Sequence, residues 1–136
     1  MVNYLTEINK LKTLIKSNSE ITKNNKIVTG FNTGIVPTPL KSLYTVIKPL
    51  ELQLDKISQD TIDASTFAKF KIGINIHKAE KLDPSELLER YSKIVDLVDS
   101  SADFTLHSSG FGELSRNADT NSILLPSFIV LAYYYY

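Results

Sequence analysis

Few residues in this chain have chemical capacity of their own. Cysteine is absent, which removes disulfides, thiolate metal sites and thiol catalysis and is compatible with a reducing cytosol. The two histidines, His77 and His107, have no carboxylate pair fixed at metal-ligand spacing. Ser108 or Ser109, either histidine and one of fifteen acids would write a triad on paper, but no G-x-S-x-G elbow presents a serine. Gly110-Phe111-Gly112 has too few glycines, and no helix behind it, for a phosphate cradle; it reads as a β-bulge or kink. Asp96, Asp99 and Asp103 form an acidic group at a helix end, able to take a cation, face a basic partner or simply be solvated. No catalytic residue, cofactor site or metal site is expected from this set.

Such residues have to be positioned by folded elements, and composition favours a fold. The chain has 136 residues, 43% hydrophobic and 22% charged, so one α+β domain over 1–136 is expected. Fifteen Lys plus Arg balance fifteen Asp plus Glu, and the zero net charge excludes a general nucleic-acid binder. The longest apolar stretch, Ile123 to Tyr136, is interrupted by Pro126 and Ser127 and is too short for a membrane-spanning helix. No secretory signal opens the chain, and no membrane partner is expected.

Tyr4, Ile8, Leu11 and Ile15 recur at helical spacing and predict an amphipathic helix over 3–17, followed by a loop over 17–25. A short strand is expected at 27–31, then a turn-rich connection punctuated by Gly34, Pro37 and Pro39. The stretch 44–54 reads as strand, with Leu50, Leu52 and Leu54 on one face and Pro49 marking an edge, a bulge or a bend. A polar hairpin loop over 55–65 leads to the clearest alternation in the sequence, Phe70, Ile72, Ile74 and Ile76 against Lys71, Gly73, Asn75 and His77. Asp83-Pro84-Ser85-Glu86 announces a second helix, with Asp83 as N-cap and Glu86 closing a capping box. Leu87, Leu88, Tyr91, Ile94, Val95 and Val98 form its apolar face. A closing hairpin follows, extended over 104–114, a polar turn over 115–122, and a last strand from Ile123 to about Tyr135. The expected architecture is a mainly antiparallel sheet with two amphipathic helices packed on one face. The final strand is apolar without alternation, so its second face calls for cover by another subunit or by the connection 34–40. Its tyrosines, Tyr133 and Tyr135 among them, suit an interface.

Three segments carry a likeness beyond element order: Ile35-Val36-Pro37-Thr38-Pro39-Leu40; Phe70 to His77 leading into Asp83-Pro84-Ser85-Glu86-Leu87-Leu88; and Gly110-Phe111-Gly112 to Tyr136. In this order the chain resembles the tail terminator proteins of long-tailed bacteriophages, lambda and contractile-tailed relatives included. The resemblance implies a non-enzymatic subunit without cofactors that forms a six-membered ring. Such a ring caps the last ring of the tail tube, halts tube growth and offers a surface for head joining. The implied partners are copies of itself, the tail tube protein, a head–tail connector or neck protein, and the sheath in a contractile particle. DNA would only pass through the lumen, where acids are expected to outnumber bases. The implied location is the neck end of the tail in the virion, after assembly in the host cytoplasm. By position, Gln59, Asp60, Asp63, Lys69 and Lys71 are candidates for contact with the tube or a neighbouring subunit. Arg116, Asn117 and Asp119 are candidates for the opposite ring surface. Another neck component shares these features. A small enzyme or ligand-binding α+β domain, and a toxin- or antitoxin-like regulator, are the readings from other classes.

Overall fold

The computed structural model describes residues 3–30, 43–56, 66–79, 83–117 and 122–135. In chain order these form α1 (Tyr4–Lys16), α2 (Ser19–Thr22), β1 (Asn25–Thr29), β2 (Leu43–Lys56), β3 (Thr66–Ala79), α3 (Ser85–Ser100), β4 (Leu106–Phe111), β5 (Ser115–Asn117) and β6 (Ser122–Tyr135). The strands make one sheet in the order β1-β2-β3-β6-β4, with β5 also pairing β6. β1 runs parallel to β2 and every other pairing is antiparallel. The architecture is α+β, with the helices on one face of a mostly antiparallel sheet, as the residue pattern predicts.

The alternation in β3 sets the core. Phe70, Ile72, Ile74 and Ile76 are buried with Ile8, Leu11 and Ile15 of α1 and Leu87, Tyr91, Ile94 and Val98 of α3. Ile129 and Leu131 of β6 join them from the next strand, in register with Ile72 and Phe70. Both amphipathic stripes therefore converge on the same sheet face, and that convergence is the main stabilising feature of the fold.

Five expectations need correction. The segment 17–25 is not simply a loop, because Asn18 caps a helical turn: its Oδ1 accepts from the Glu20 and Ile21 amides at 2.9 and 3.2 Å. That turn drops Ile21 fully into the core. The capping box of α3 is not formed: Pro84, not Asp83, stands at the N-cap position, without a side-chain cap bond. The Asp83 carboxylate accepts from the Ser85 amide at 3.0 Å, which holds its pKa below the usual carboxylate value. Glu86 turns instead to Lys78 of β3, carboxylate to ammonium 2.8 Å. Leu50, Leu52 and Leu54 do not share a face. A register shift between Pro49 and Glu51 leaves Leu50 over Gly73, where a Cβ would meet its Cδ1 at 3.1 Å, while Leu52 is paired with Phe70. Finally, the polar turn after Leu114 begins as the short strand β5, and the bulge expected at Gly110-Phe111-Gly112 lies one turn of sequence earlier, between Leu106 and Ser108. Gly110 serves packing: a Cβ there would stand 2.8 Å from the Phe128 ring.

Pro49 behaves as its chemistry requires. β1 pairs β2 only as far as Thr29 with Ile47, and the Gly30 amide closes on the Ile47 carbonyl at 2.8 Å. Pro49 thus falls where the ladder on that side has ended, so its missing amide costs no hydrogen bond. The connection 34–40 lies outside the described residues.

Candidate assembly surfaces

Two polar ties order the helical layer, one joining α3 to α2 and the other joining α3 to the sheet. Arg90 of α3 is buried, and its guanidinium donates to the Ile21 carbonyl at 2.8 Å and to the Glu20 carbonyl, satisfying the end of α2. The Tyr91 hydroxyl donates to the Gly110 and Phe128 carbonyls at 3.0 and 3.2 Å, binding α3 to β4 and β6. Burial pushes the Tyr91 pKa up. These ties leave the opposite sheet face without a helical layer among the described residues.

That open face is half apolar and half charged. Tyr44 and Val46 of β2 form a small second cluster with Val28 of β1. Beside them His77 is buried, and its pKa is lowered by burial and by the nearby Lys48 ammonium. Towards β6, Lys71 Nζ lies 4.4 Å from the centre of the Phe128 ring. Two shallow grooves follow. One of about 440 Å³ runs over Leu50, Leu124, Pro126 and Phe128 between Lys48 and Lys71. The other, about 220 Å³, is lined by Glu51, Gln53, Lys69, Lys71, His107 and Ser108.

His107, Ser108 and Glu51 are close enough to share a groove, yet no hydrogen bond joins them; His107 packs against the Phe67 ring at 5.6 Å. His77 is in register with Leu124 of β6 and Ser108 with Val130, six residues along that strand. No triad is assembled from these groups. Among the described residues no cluster of three metal-ligating side chains occurs, and Asp96, Asp99 and Asp103 have no ion-pair partner. No helix among the described residues is long and apolar enough to cross a membrane.

The sheet's lateral edges are the other unsatisfied feature. Among the described residues, β2 beyond Ile47 pairs only with β3, and β4 pairs only with β6. Both edges carry exposed apolar residues. Leu50, Leu52 and Leu54 on β2 are 48%, 43% and 56% exposed, and Phe111 at the end of β4 is 56% exposed. An unpaired strand edge with exposed leucines is a template for another strand.

The expected site residues scatter over these surfaces. Lys69 and Lys71 are half-buried on the open face. Arg116 and Asn117 belong to β5, opposite Ile123 and Ser122 of β6. Tyr133 turns to the helical side, its ring 6.1 Å from Tyr4 and its hydroxyl 3.4 Å from the Glu7 carboxylate. Burial, and then Glu7, raise its pKa well above the usual phenol range. Tyr135 pairs with Thr66 at the end of the sheet. Gln59, Asp60, Asp63 and Asp119 lie outside the described residues. Sequence reasoning missed the edge leucines as a surface feature. The signal was present in Pro49, which marks both the end of the β1 ladder and the bulge that turns Leu50 over.

No family model matches the chain, and no curated protein does. Among solved structures, the chain is similar to one in the virion of a native gene transfer agent particle, at 9% identity and TM-score 0.46, with 90% of each chain covered. A second solved structure, of a protein carrying only a serial designation, aligns at 15% identity and TM-score 0.49, with 96% of each chain covered.

Proposed function

We propose that the protein is a structural subunit of a phage tail or phage-derived particle, a terminator that assembles into a ring at the head-proximal end of the tail tube. The observation that carries self-assembly is the pair of sheet edges left unpaired among the described residues, each with exposed apolar side chains. A head-to-tail join between unlike edges leaves a free edge at each end of every partial assembly, so it propagates until rotation closes it into a ring. The terminator role itself comes from the resemblance of three sequence segments to that family. On this reading the protein is not an enzyme. Its partners are further copies, of which six would close the ring, together with the tube protein and a neck or connector protein, and DNA passes through the lumen.

The test is light scattering of the purified protein, alone and mixed with its tail tube, with electron microscopy of the same samples. Rings on tube ends are the expected result, even from a free monomer. Decoration of a connector but not of tube ends would make it another neck component. A monomer that decorates neither would overturn the structural reading and return attention to the grooves of the open face.

A further inference from the structure

The larger groove of the open face is built around a glycine of β3. Gly73 has Lys48 and Phe128 opposite it on the flanking strands and Lys71 and Asn75 two residues away on either side, and all four line the groove. The missing side chain leaves the floor bare. The bulge between Pro49 and Glu51 then sets Leu50 over that floor, its Cδ1 3.1 Å from where a Cβ would stand. The result is apolar and accessible. Leu50 and Phe111 are exposed, and Leu124, Pro126 and Phe128 are half-buried. A volume of about 440 Å³, an apolar lining and a few polar groups are the usual properties of a binding site.

The charges at this groove have one sign. Among the described residues that line it there are two ammonium groups, Lys48 and Lys71, and no acid. Glu51 stands opposite Lys71 in register, but it lines the smaller groove, and Lys71 Nζ lies over the Phe128 ring instead. Asp55 is in register with Phe67, six residues along β3 from Gly73, or about 20 Å away. Neither Lys48 nor Lys71 forms an ion pair with a described residue. Burial and then the Lys48 charge lower the pKa of His77, which is what an uncancelled ammonium does to a neighbour.

We infer that this groove binds an extended peptide segment of a partner protein, one that carries a carboxylate side chain between apolar ones. The apolar side chains cover Leu50 and Phe128, and the carboxylate accepts from Lys48 and Lys71. Asn75 offers the segment's backbone both a donor and an acceptor. Leu50 and Phe111 belong to strands three spacings apart, β2 and β4, so the groove crosses the sheet for about 14 Å. Four extended residues span that distance, whereas a small carboxylate would leave one end in water. The inference does not depend on ring formation.

The test is a nuclear magnetic resonance titration of the full chain with two peptides, acetyl-Ala-Leu-Asp-Leu-Ala-amide and its counterpart with Asn in place of Asp. Saturable shifts centred on Gly73, Asn75 and Phe128 are expected. The Asp peptide should bind about three- to tenfold tighter at about 20 mM salt, and most of that advantage should vanish at about 500 mM. Lys48→Gln/Lys71→Gln is expected to remove the preference for Asp and to leave the affinity of the Asn peptide unchanged. Leu50→Ser is expected to weaken both peptides at least about fivefold. Circular dichroism melts check that each variant folds, and Gly73→Ala, which fills the floor from β3, is a second route to the same loss. Absence of shifts at about 5 mM of either peptide, equal binding of the two, or binding unaltered by Leu50→Ser overturns the inference. A fall in oligomer mass in Leu50→Ser without any response to peptide would make the groove a contact between copies and would also overturn it. Rings on tube ends are read separately by microscopy, so failure here and failure of the assembly reading are distinguishable.

Discussion

The two faces of this sheet are built from the same strands, and alternate residues of β3 serve opposite purposes. On the covered face, Ile72, Ile74 and Ile76 are fully buried beneath α1 and α3. On the other, Lys69, Lys71 and Asn75 remain half-exposed around two grooves. Burial on the first face supplies the driving force for folding, while the second keeps its charges in solvent and its rings accessible. The lesson is that period-two alternation specifies both a core and a surface, but only the core side has its occupants settled within the chain.

The sharpest way to break that contrast is to make one cavity on each side. Ile74→Ala on the covered face is expected to cost about 2–5 kcal/mol, and Val130→Ala on the open face about 1 kcal/mol, both read by urea denaturation. Equal losses would mean that the open face is packed as tightly as the covered one. Next in size is Arg90→Ala, which strips the carbonyls closing α2 of their donor and is expected to cost about 2–3 kcal/mol. Arg90→Lys should recover only part of this, because one ammonium cannot reproduce the guanidinium fork.

A smaller effect belongs to His77 on the open face, whose pKa is lowered by burial and by Lys48. The unfolded chain takes up this proton near pH 6.5, the folded protein only at lower pH. Stability contributed by the neutral imidazole is therefore complete above about pH 6.5 and falls as pH drops from there towards the folded-state pKa. Denaturation midpoints measured from pH 7.5 downwards should decline through this window, and His77→Gln should flatten that part of the profile; an unchanged profile would show that His77 is not the titrating group. The least effect on stability is expected from Leu52→Lys/Leu54→Lys on the β2 edge, within about 0.5 kcal/mol. The same variant should nevertheless reduce assembly in light scattering. Undiminished assembly would show that subunits meet elsewhere.

Much of the covered face is legible in the sequence. The alternation of β3, the stripes of α1 and α3, and Pro49 as an end of pairing are local signals, and each found its structural counterpart. The missing elements have distant partners. Arg90 reads as one polar residue on a helix and becomes a buried donor to a carbonyl 69 residues earlier. Ser127 breaks an apolar run and becomes a buried hydroxyl donating to Ile74, 53 residues away. Asn25 reads as the end of a loop and instead links the Ile21 carbonyl to the Thr45 hydroxyl through its own amide, at 3.0 and 2.9 Å. Lys78 looks solvated in sequence, yet it is 1% exposed against Glu86. For the candidate surfaces, the lysines of β3 were visible as a pair, but the placement of Lys48 beside Gly73, next to Lys71, was not.

The sequence by itself determined the α+β class, the strand and helix that build the core, and the lack of cysteine chemistry, because these follow from residue type and short-range periodicity. Tertiary structure alone decided which edges stay unpaired among the described residues, where Leu50 turns over, and how a neutral chain acquires a lysine-rich sheet face and an acidic helix end. Those properties depend on strand order and register, which are set by contacts between residues far apart in the chain rather than by any local pattern.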